Sequence, residues 1–435
     1  MADAQGTRTG RTALATARQL PPWARFLTLW ALTRTVLLLC VLHVITAPGP
    51  DVTSDVSVIY QGWYEVLRTG TFPLDDVTWQ YPPAAALAVL SPALLPVLGY
   101  AQAFFVLAFL ADALVAALLW YAGRRPGRSP RGAWVWAVGV ALLGPIVYAR
   151  YDLMVTAVAV AALLAGARRP RLMGALAGFG ALLKVWPVLL LAGTPRAGAT
   201  RRSWTAAVAT ALALTLAFAV AMPGALAFLT FQRDRGTEVE SLGALVFHVA
   251  RHLGWRGGVQ LNYGSVEFLG PYVPLVSALA QALTVAAFGW LLLWRLRARA
   301  WSASTAADAA FTAVLLFTVT SRVISPQYLL WLVGVAAVCL AFRSSRMLLP
   351  ARLVLVATFV TFLEFPVWFS HVVASDALGI ALLLVRNGLL VAASLAACRA
   401  LWRQTVAEPR ERERQLTEDG EVSRARSADT YATAP

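Results

Sequence analysis

An acid that opens a short helix just beyond a long apolar run is the first residue of this chain whose position suggests chemistry. The stretch Ser54-Asp55-Val56-Ser57-Val58-Ile59-Tyr60-Gln61-Gly62-Trp63-Tyr64-Glu65-Val66-Leu67-Arg68-Thr69-Gly70 reads as such a helix, with Thr53 or Ser54 as cap and Gly70 just past its end. Val56, Ile59, Tyr60, Trp63 and Leu67 share one face, which lays the helix along a membrane surface with its aromatic rings in the interface. Asp55 falls in the first turn, where the helix dipole favours an ionised carboxylate, the state a proton acceptor at the bilayer boundary needs. Two readings of Asp55 stand side by side: a general base, or a residue that only helps cap the helix.

A base of this kind needs partners, and ionisable groups at or inside apolar spans are the candidates, because a charge there is costly unless it has a function. Arg150 and Asp152 at one turn, Lys184 in an apolar segment broken by Pro187, Arg322 within Ser321-Arg322-Val323-Ile324-Ser325-Pro326-Gln327-Tyr328, and Glu364 before Pro366 fit that description. Several cations near one acid would make a site for a phosphate and a hydroxyl. The plain alternative is ion pairing among themselves, Arg150 with Asp152 being the obvious local case. Asp112, deep in an apolar run, reads as the partner of a cation on a neighbouring helix.

The charged stretch 231–242, which holds Glu240, either contacts a polar head group or sugar or is simply a polar loop. Asp75 and Asp76 have no third ligand at a suitable spacing, so solvated turn residues are the better reading than a metal site. His43, His248, His252 and His371 show no His-Glu-x-x-His pattern, and the chain has no Gly-x-x-x-x-Gly-Lys-Ser/Thr loop. Metallopeptidase chemistry and an ATP-driven pump are both disfavoured. No cofactor and no metal are expected.

These groups must be positioned by apolar elements. Of 435 residues, 59% are hydrophobic and 14% charged, more apolar surface than one soluble core can hide, so lipid is the solvent for much of it. Leucine and alanine runs without alternating polarity must be helices, since a barrel would alternate. The formal charge of +15 comes from short arginine clusters beside apolar runs, not from an extended basic face, which argues for the positive-inside rule and against nucleic acid. Cys40, Cys339 and Cys398 lie far apart in apolar segments and read as packing residues.

The sequence predicts an all-α integral membrane protein, a polytopic helical bundle with about ten crossings. The expected spans are 26–47, 100–121, 132–149, 153–165, 203–222, 272–294, 308–320, 328–342, 349–369 and 378–401. Residues 172–191, flanked by arginines, form a re-entrant hairpin with Lys184 near its tip, and 82–98 form an interfacial helix on the outer face. A cytoplasmic tail over 1–25, a transmembrane domain over 26–402 with outer loops 48–99 and 223–270, and a disordered cytoplasmic tail over 403–435 complete the layout.

Taken in order, the motifs resemble a known family: Ser54-Asp55 followed by Tyr60 and Trp63, Gly70-x-x-Pro73, Tyr81-Pro82-Pro83, Arg150-Tyr151-Asp152-Leu153, Lys184-Val185-Trp186-Pro187, Arg235-Gly236-Thr237-Glu238-Val239-Glu240-Ser241, and Ser325-Pro326-Gln327-Tyr328-Leu329-Leu330-Trp331. The set is similar to glycosyltransferase family 87, whose best-known members are actinobacterial mannosyltransferases of the C-type glycosyltransferase superfamily. The resemblance implies a bundle of that kind in the plasma membrane. It also implies inverting transfer of a sugar, mannose by analogy, from a polyprenyl-phosphate donor to a lipid or glycan hydroxyl on the outer face. By position Asp55 matches the catalytic acid. Lys184 and Arg322, with Arg150, are the candidates for the donor phosphate, and Tyr60, Tyr81, Asp152, Glu240, Gln327 and Tyr328 for the rest of the substrates. Leu74 after Pro73, and Arg150-Tyr151-Asp152 where many members have a Gly-Gln pair, depart from the family pattern. The competing reading is a polytopic lipid or solute transporter whose intramembrane charges bind cargo.

Overall fold

Each of the ten segments expected to cross the bilayer is a helix in the computed structural model: Pro22–Val41, Tyr100–Gly123, Arg131–Leu143, Asp152–Gly166, Gly198–Ala221, Val273–Arg297, Thr305–Thr320, Tyr328–Leu340, Leu348–Phe362 and Ala377–Trp402. The structure describes residues 20–196, 198–231 and 236–409. Residues 1–19 and 410–435 of the expected tails and 232–235 of the charged stretch, Arg235 among them, lie outside them. The chain is an all-α polytopic membrane protein.

Six helical stretches are long and apolar enough to cross on their own: Pro22–Val41, Tyr100–Gly123, Gly198–Ala221, Val273–Arg297, Leu348–Val367 and Ala377–Ala407. The other four expected crossings are shorter. Arg131–Leu143 and Tyr328–Leu340 have 13 residues, Asp152–Gly166 has 15 and Thr305–Thr320 has 16. At a rise of 1.5 Å per residue they reach only about 20–24 Å. They also sit among other helices rather than against lipid; every residue from Leu329 to Leu340 is buried. A helix wrapped in protein need not match the hydrocarbon thickness, because neighbouring segments satisfy the backbone at its ends.

The turns fall at two ends of the bundle. At one end the arginine-bearing connections meet: Arg343 Nε donates to the Arg128 carbonyl at 2.9 Å, the Arg299 amide donates to the Thr405 carbonyl at 2.8 Å, and Ser345 Oγ donates to Asp308 at 2.6 Å. The polar loops gather at the other. There Gln80 Nε2 donates to the Tyr263 carbonyl at 3.3 Å, the Ile324 amide donates to Glu238 at 2.6 Å, and Arg251 Nη1 donates to the Val373 carbonyl at 2.8 Å.

The segment expected to be re-entrant starts and finishes at the arginine end. Its first arm, Pro170–Leu183, lies along Gly198–Ala221 so closely that a Cβ on Gly174 would stand 2.0 Å from the Ser203 carbonyl oxygen and one on Gly178 2.4 Å from that of Ala207. The arm stops at Leu183 for a local reason: the ring of Pro187 would collide with the carbonyl four residues earlier. Tyr151 Oη donates to that released carbonyl at 3.4 Å, and the return arm is the 3₁₀ helix Trp186–Gly193.

Two expectations about the loop end are corrected. The acid-bearing helix exists, as a π-turn Asp55–Tyr60 running into Gln61–Leu67, with Gly70 beyond it at φ 87°. Its apolar face, however, does not lie in the membrane interface: Val56, Tyr60, Trp63 and Leu67 are buried in the protein core. Tyr60 stacks on Trp63 at 5.4 Å and meets Phe104 and Tyr151 at 5.6 and 5.9 Å. An amphipathic face can be covered by protein as well as by lipid, and periodicity does not distinguish the two. Ala85–Leu90, with its 3₁₀ extension Ser91–Leu94, is as short as Pro92 and Pro96 imply, and Ala85, Ala86, Ala88 and Val89 pack inward.

The second difference is a small antiparallel sheet that the helical periodicity did not announce, ordered β1-β3-β2 with β1 Thr237–Glu238, β2 Gly258–Asn262 and β3 Ser265–Leu269. Tyr263 and Gly264, both at positive φ (49° and 78°), form the two-residue turn that joins β2 to β3. Val239, Phe247, Phe268 and Val372 form a separate apolar cluster beneath it.

Candidate active site

At the loop end a cavity of about 750 Å³ opens between the first loop, the sheet and the turns 145–151 and 321–327. Asp55, Arg150, Lys184, Arg322, Tyr81, Glu240, Gln327 and Tyr328 all line it, although they come from segments far apart in the chain.

Asp55 sits at the mouth of its helix, 31% exposed, with Oδ2 2.9 Å from Arg150 Nη2. Upstream, Asp51 accepts from the Thr53 amide at 2.9 Å and from its hydroxyl at 2.8 Å, which fixes the entry to the helix without engaging Asp55. Arg150 is nearly buried. Its Nη1 donates to the carbonyls of Val52 (3.2 Å) and Ala149 (2.8 Å), so the guanidinium is held by backbone on one side and by Asp55 on the other. The local pairing of Arg150 with Asp152, which the sequence offered as the plain alternative, therefore does not form. Arg150, in the turn, and Asp152, the first residue of the helix, point different ways, and each side chain found a partner from elsewhere in the chain.

Asp152 turns inward to Lys184, whose Nζ lies 2.8 Å from its Oδ1; the same oxygen accepts from Trp331 Nε1 at 2.6 Å. Lys184 occupies the break between the arms of the hairpin, in extended conformation (φ −160°, ψ 134°). Four rings surround its ammonium: the centroids of Trp331, Tyr151, Tyr81 and Tyr328 lie 5.1, 5.2, 5.3 and 5.7 Å from Nζ. Ring faces and a carboxylate hold the ammonium on one side while leaving it at the cavity wall.

Arg322 lies in the turn between Thr305–Thr320 and Tyr328–Leu340, and that turn is clamped by Glu238. The Glu238 amide donates to the Arg322 carbonyl at 3.1 Å, and its carboxylate accepts from the Ile324 amide at 2.6 Å and from Ser325 Oγ at 2.8 Å. Glu240, two residues on, faces the same cavity. Burial first, and then the neighbouring Glu364 and Glu238, push its carboxyl well above the ordinary range.

Two of the residues singled out from sequence are not at the wall. Tyr60 and Asp152, 2% and 1% exposed, stand behind it, where Tyr60 packs the aromatic core and Asp152 holds Lys184. Sequence reasoning in turn passed over Glu238, Trp186, Trp331 and the β2–β3 turn. Trp186 and Trp331 stack at 5.3 Å, and both fall inside motifs already quoted, so a search for aromatics beside the intramembrane lysine would have found them. Among the described residues, no three His, Cys, Asp or Glu side chains converge as metal ligands would.

The wall therefore combines a carboxylate paired with one arginine, an ammonium in an aromatic cage and a second arginine on a clamped turn. Such a site can hold an anion next to a hydroxyl that must lose its proton. No curated protein and no solved structure matches the chain significantly. The sequence profile described as glycosyltransferase family 87 matches residues 79–326, more than half of the chain; the match contains Arg150, Lys184 and Arg322 and begins after Asp55. On that match the chain belongs to glycosyltransferase family 87, a family of membrane glycosyltransferases.

Proposed function

We propose that this membrane glycosyltransferase moves a sugar, mannose by family likeness, from a polyprenyl-monophosphate donor to a hydroxyl of a lipid or glycan, with Asp55 as general base. The observation that carries the reading is that Asp55 and Lys184, from segments far apart in the chain, line one cavity together with Arg150 and Arg322. In the step proposed, the acceptor oxygen attacks the anomeric carbon as its proton passes to the Asp55 carboxylate. The bond from that carbon to the phosphate oxygen breaks, and the phosphate leaves with the electron pair. Inversion follows from attack on the face opposite the leaving group. Charge grows on the phosphate as the bond breaks, and Lys184, Arg322 and Arg150 supply fixed positive charge where it grows.

Arg150 has a double task in this reading. Before the donor arrives it pairs with Asp55 at 2.9 Å; a bound phosphate competes for the guanidinium and frees the carboxylate to take a proton. The positive-inside rule supports a cytoplasmic arginine end and an extracytoplasmic cavity, in the plasma membrane, since a polyprenyl-linked sugar is used there.

The test is transfer itself. Purified full chain in lipid nanodiscs, given polyprenyl-phosphate mannose and extracted membrane glycolipids, is expected to yield a mannosylated product. Movement of labelled lipid across the bilayer with no glycosylated product would overturn the reading in favour of a transporter.

A further inference from the structure

Glu240 has no part in the transfer step, yet it lines the cavity while only 5% exposed. Its carbonyl accepts from Arg386 Nη2 at 2.8 Å, and the same arginine donates to both oxygens of Glu364 at 2.9 and 2.7 Å. Arg386 thus ties residue 240 to the segment Leu363–Val367, where the chain leaves helical geometry at Phe365 (φ −137°, ψ 123°), as a residue preceding proline tends to do. Phe365 and Phe369 line the cavity with Glu240, their rings edge to face at 5.0 Å.

Both Glu364 oxygens accept from Arg386 and the Glu240 carboxyl also hydrogen-bonds with Glu364, while Glu240 Oε1 is buried with no hydrogen-bond partner among the described residues. Burial first, and then crowding by Glu364 and Glu238, shift Glu240 toward its protonated form. A neutral carboxyl both donates and accepts, which is what a ring carrying several hydroxyls asks of a protein group. Phenyl faces beside it suit the C–H surface of the same ring. The leaving phosphate is drawn to the cations Arg150, Lys184 and Arg322, while Glu240, Phe365 and Phe369 offer it no positive charge, so these three suit the other substrate. At about 750 Å³ the cavity is in the range that holds a ligand larger than one ring.

We propose that the wall formed by Glu240, Phe365 and Phe369 is a subsite for a polyhydroxylated ring of the acceptor. It rests on the transferase reading for the word acceptor, and on the cavity alone for the sugar. The experiment uses the full chain in lipid nanodiscs and octyl α-mannoside as probe, with binding followed by calorimetry. Glu240→Leu is expected to weaken binding about tenfold or more, the loss of one good hydrogen bond to a buried group, whereas Glu240→Gln, which keeps a donor and an acceptor, stays within about threefold. Phe369→Ala, at a half-buried place, is expected to weaken binding as well and carries the test should Glu240→Leu fail to fold. With octyl α-mannoside as acceptor in the transfer assay, the acceptor KM rises in Glu240→Leu and the donor KM does not.

No saturable binding to the unaltered protein, or unaltered binding in both Glu240→Leu and Phe369→Ala, overturns the subsite. A rise confined to the donor KM overturns its assignment to the acceptor. Sugar binding without any transfer by the unaltered protein sinks the transferase reading and leaves the subsite standing, so the two fail separately.

Discussion

Asp55→Asn separates a base from a structural acid, because the two roles differ in size. The substitution keeps shape and hydrogen bonding but removes the group that takes the proton. Loss of a positioned general base costs about 10²–10⁴ in rate, or about 2.7–5.4 kcal/mol of transition-state stabilisation. The structural cost is smaller. Asp55 is 31% exposed and makes one ion pair, and Arg150 keeps the Val52 and Ala149 carbonyls when that pair is lost. With Arg150 nearly buried and Asp55 partly exposed, losing the pair costs about 1–3 kcal/mol, between the small value of surface pairs and the 3–5 kcal/mol of breaking fully buried ones. The assay is the initial rate of mannose transfer from polyprenyl-phosphate mannose by equal amounts of monodisperse protein, with thermal unfolding followed in parallel. A fall of at least a hundredfold with an unfolding midpoint lowered by only a few degrees is expected. A rate within threefold of the unaltered protein refutes Asp55 as base, and a loss of rate that tracks a collapse of the midpoint refutes the separation drawn here.

Three further outcomes follow from the buried charges. Lys184→Met leaves Asp152, 1% exposed, without its cation and is expected to destabilise the fold by about 3–5 kcal/mol; adding Asp152→Asn should restore most of the unfolding midpoint while transfer stays lost. Arg34→Met is expected to cost a similar amount, about 3–5 kcal/mol, by removing the cation from Asp112, which also accepts from Trp136 at 2.7 Å and Tyr148 at 2.9 Å. Transfer per folded molecule should be unchanged there, since neither Arg34 nor Asp112 lines the cavity. The raised Glu240 pKa means the folded state holds a proton that the unfolded chain gives up at about the ordinary value of 4.5. Stability therefore falls as pH rises above 4.5 toward the folded value, and Glu240→Gln is expected to flatten that fall in a series of thermal unfolding curves. An identical pH slope in both proteins would show that Glu240 is ionised in the fold.

Much of the architecture was legible because lipid makes simple demands. A run of apolar residues with no water to satisfy its backbone has to be a helix, and each of the ten expected spans is one. The break at Lys184 was equally readable, since Pro187 forbids the helix from continuing whatever surrounds it. Asp112 needed a cation and has Arg34. The small sheet was missed because strands of two to five residues carry too little alternation to stand against a helical background; the positive-φ turn Tyr263-Gly264 was the one local sign of it.

The sequence by itself determined which residues must be in helices, where those helices break, and which charges are too costly to be idle. All of that follows from the local chemistry of the backbone and the solvent. Only the tertiary structure decided who pairs with whom: Arg150 with Asp55 rather than its neighbour Asp152, Asp152 with Lys184, and Glu238 with the turn that carries Arg322. It also decided that the aromatic face of Asp55–Leu67 meets protein instead of lipid, and that Tyr60 and Asp152 stand behind the wall they were expected to form. Partner choice between groups far apart in the chain depends on how the helices pack, and a one-dimensional pattern gives each residue its need but not the neighbour that meets it.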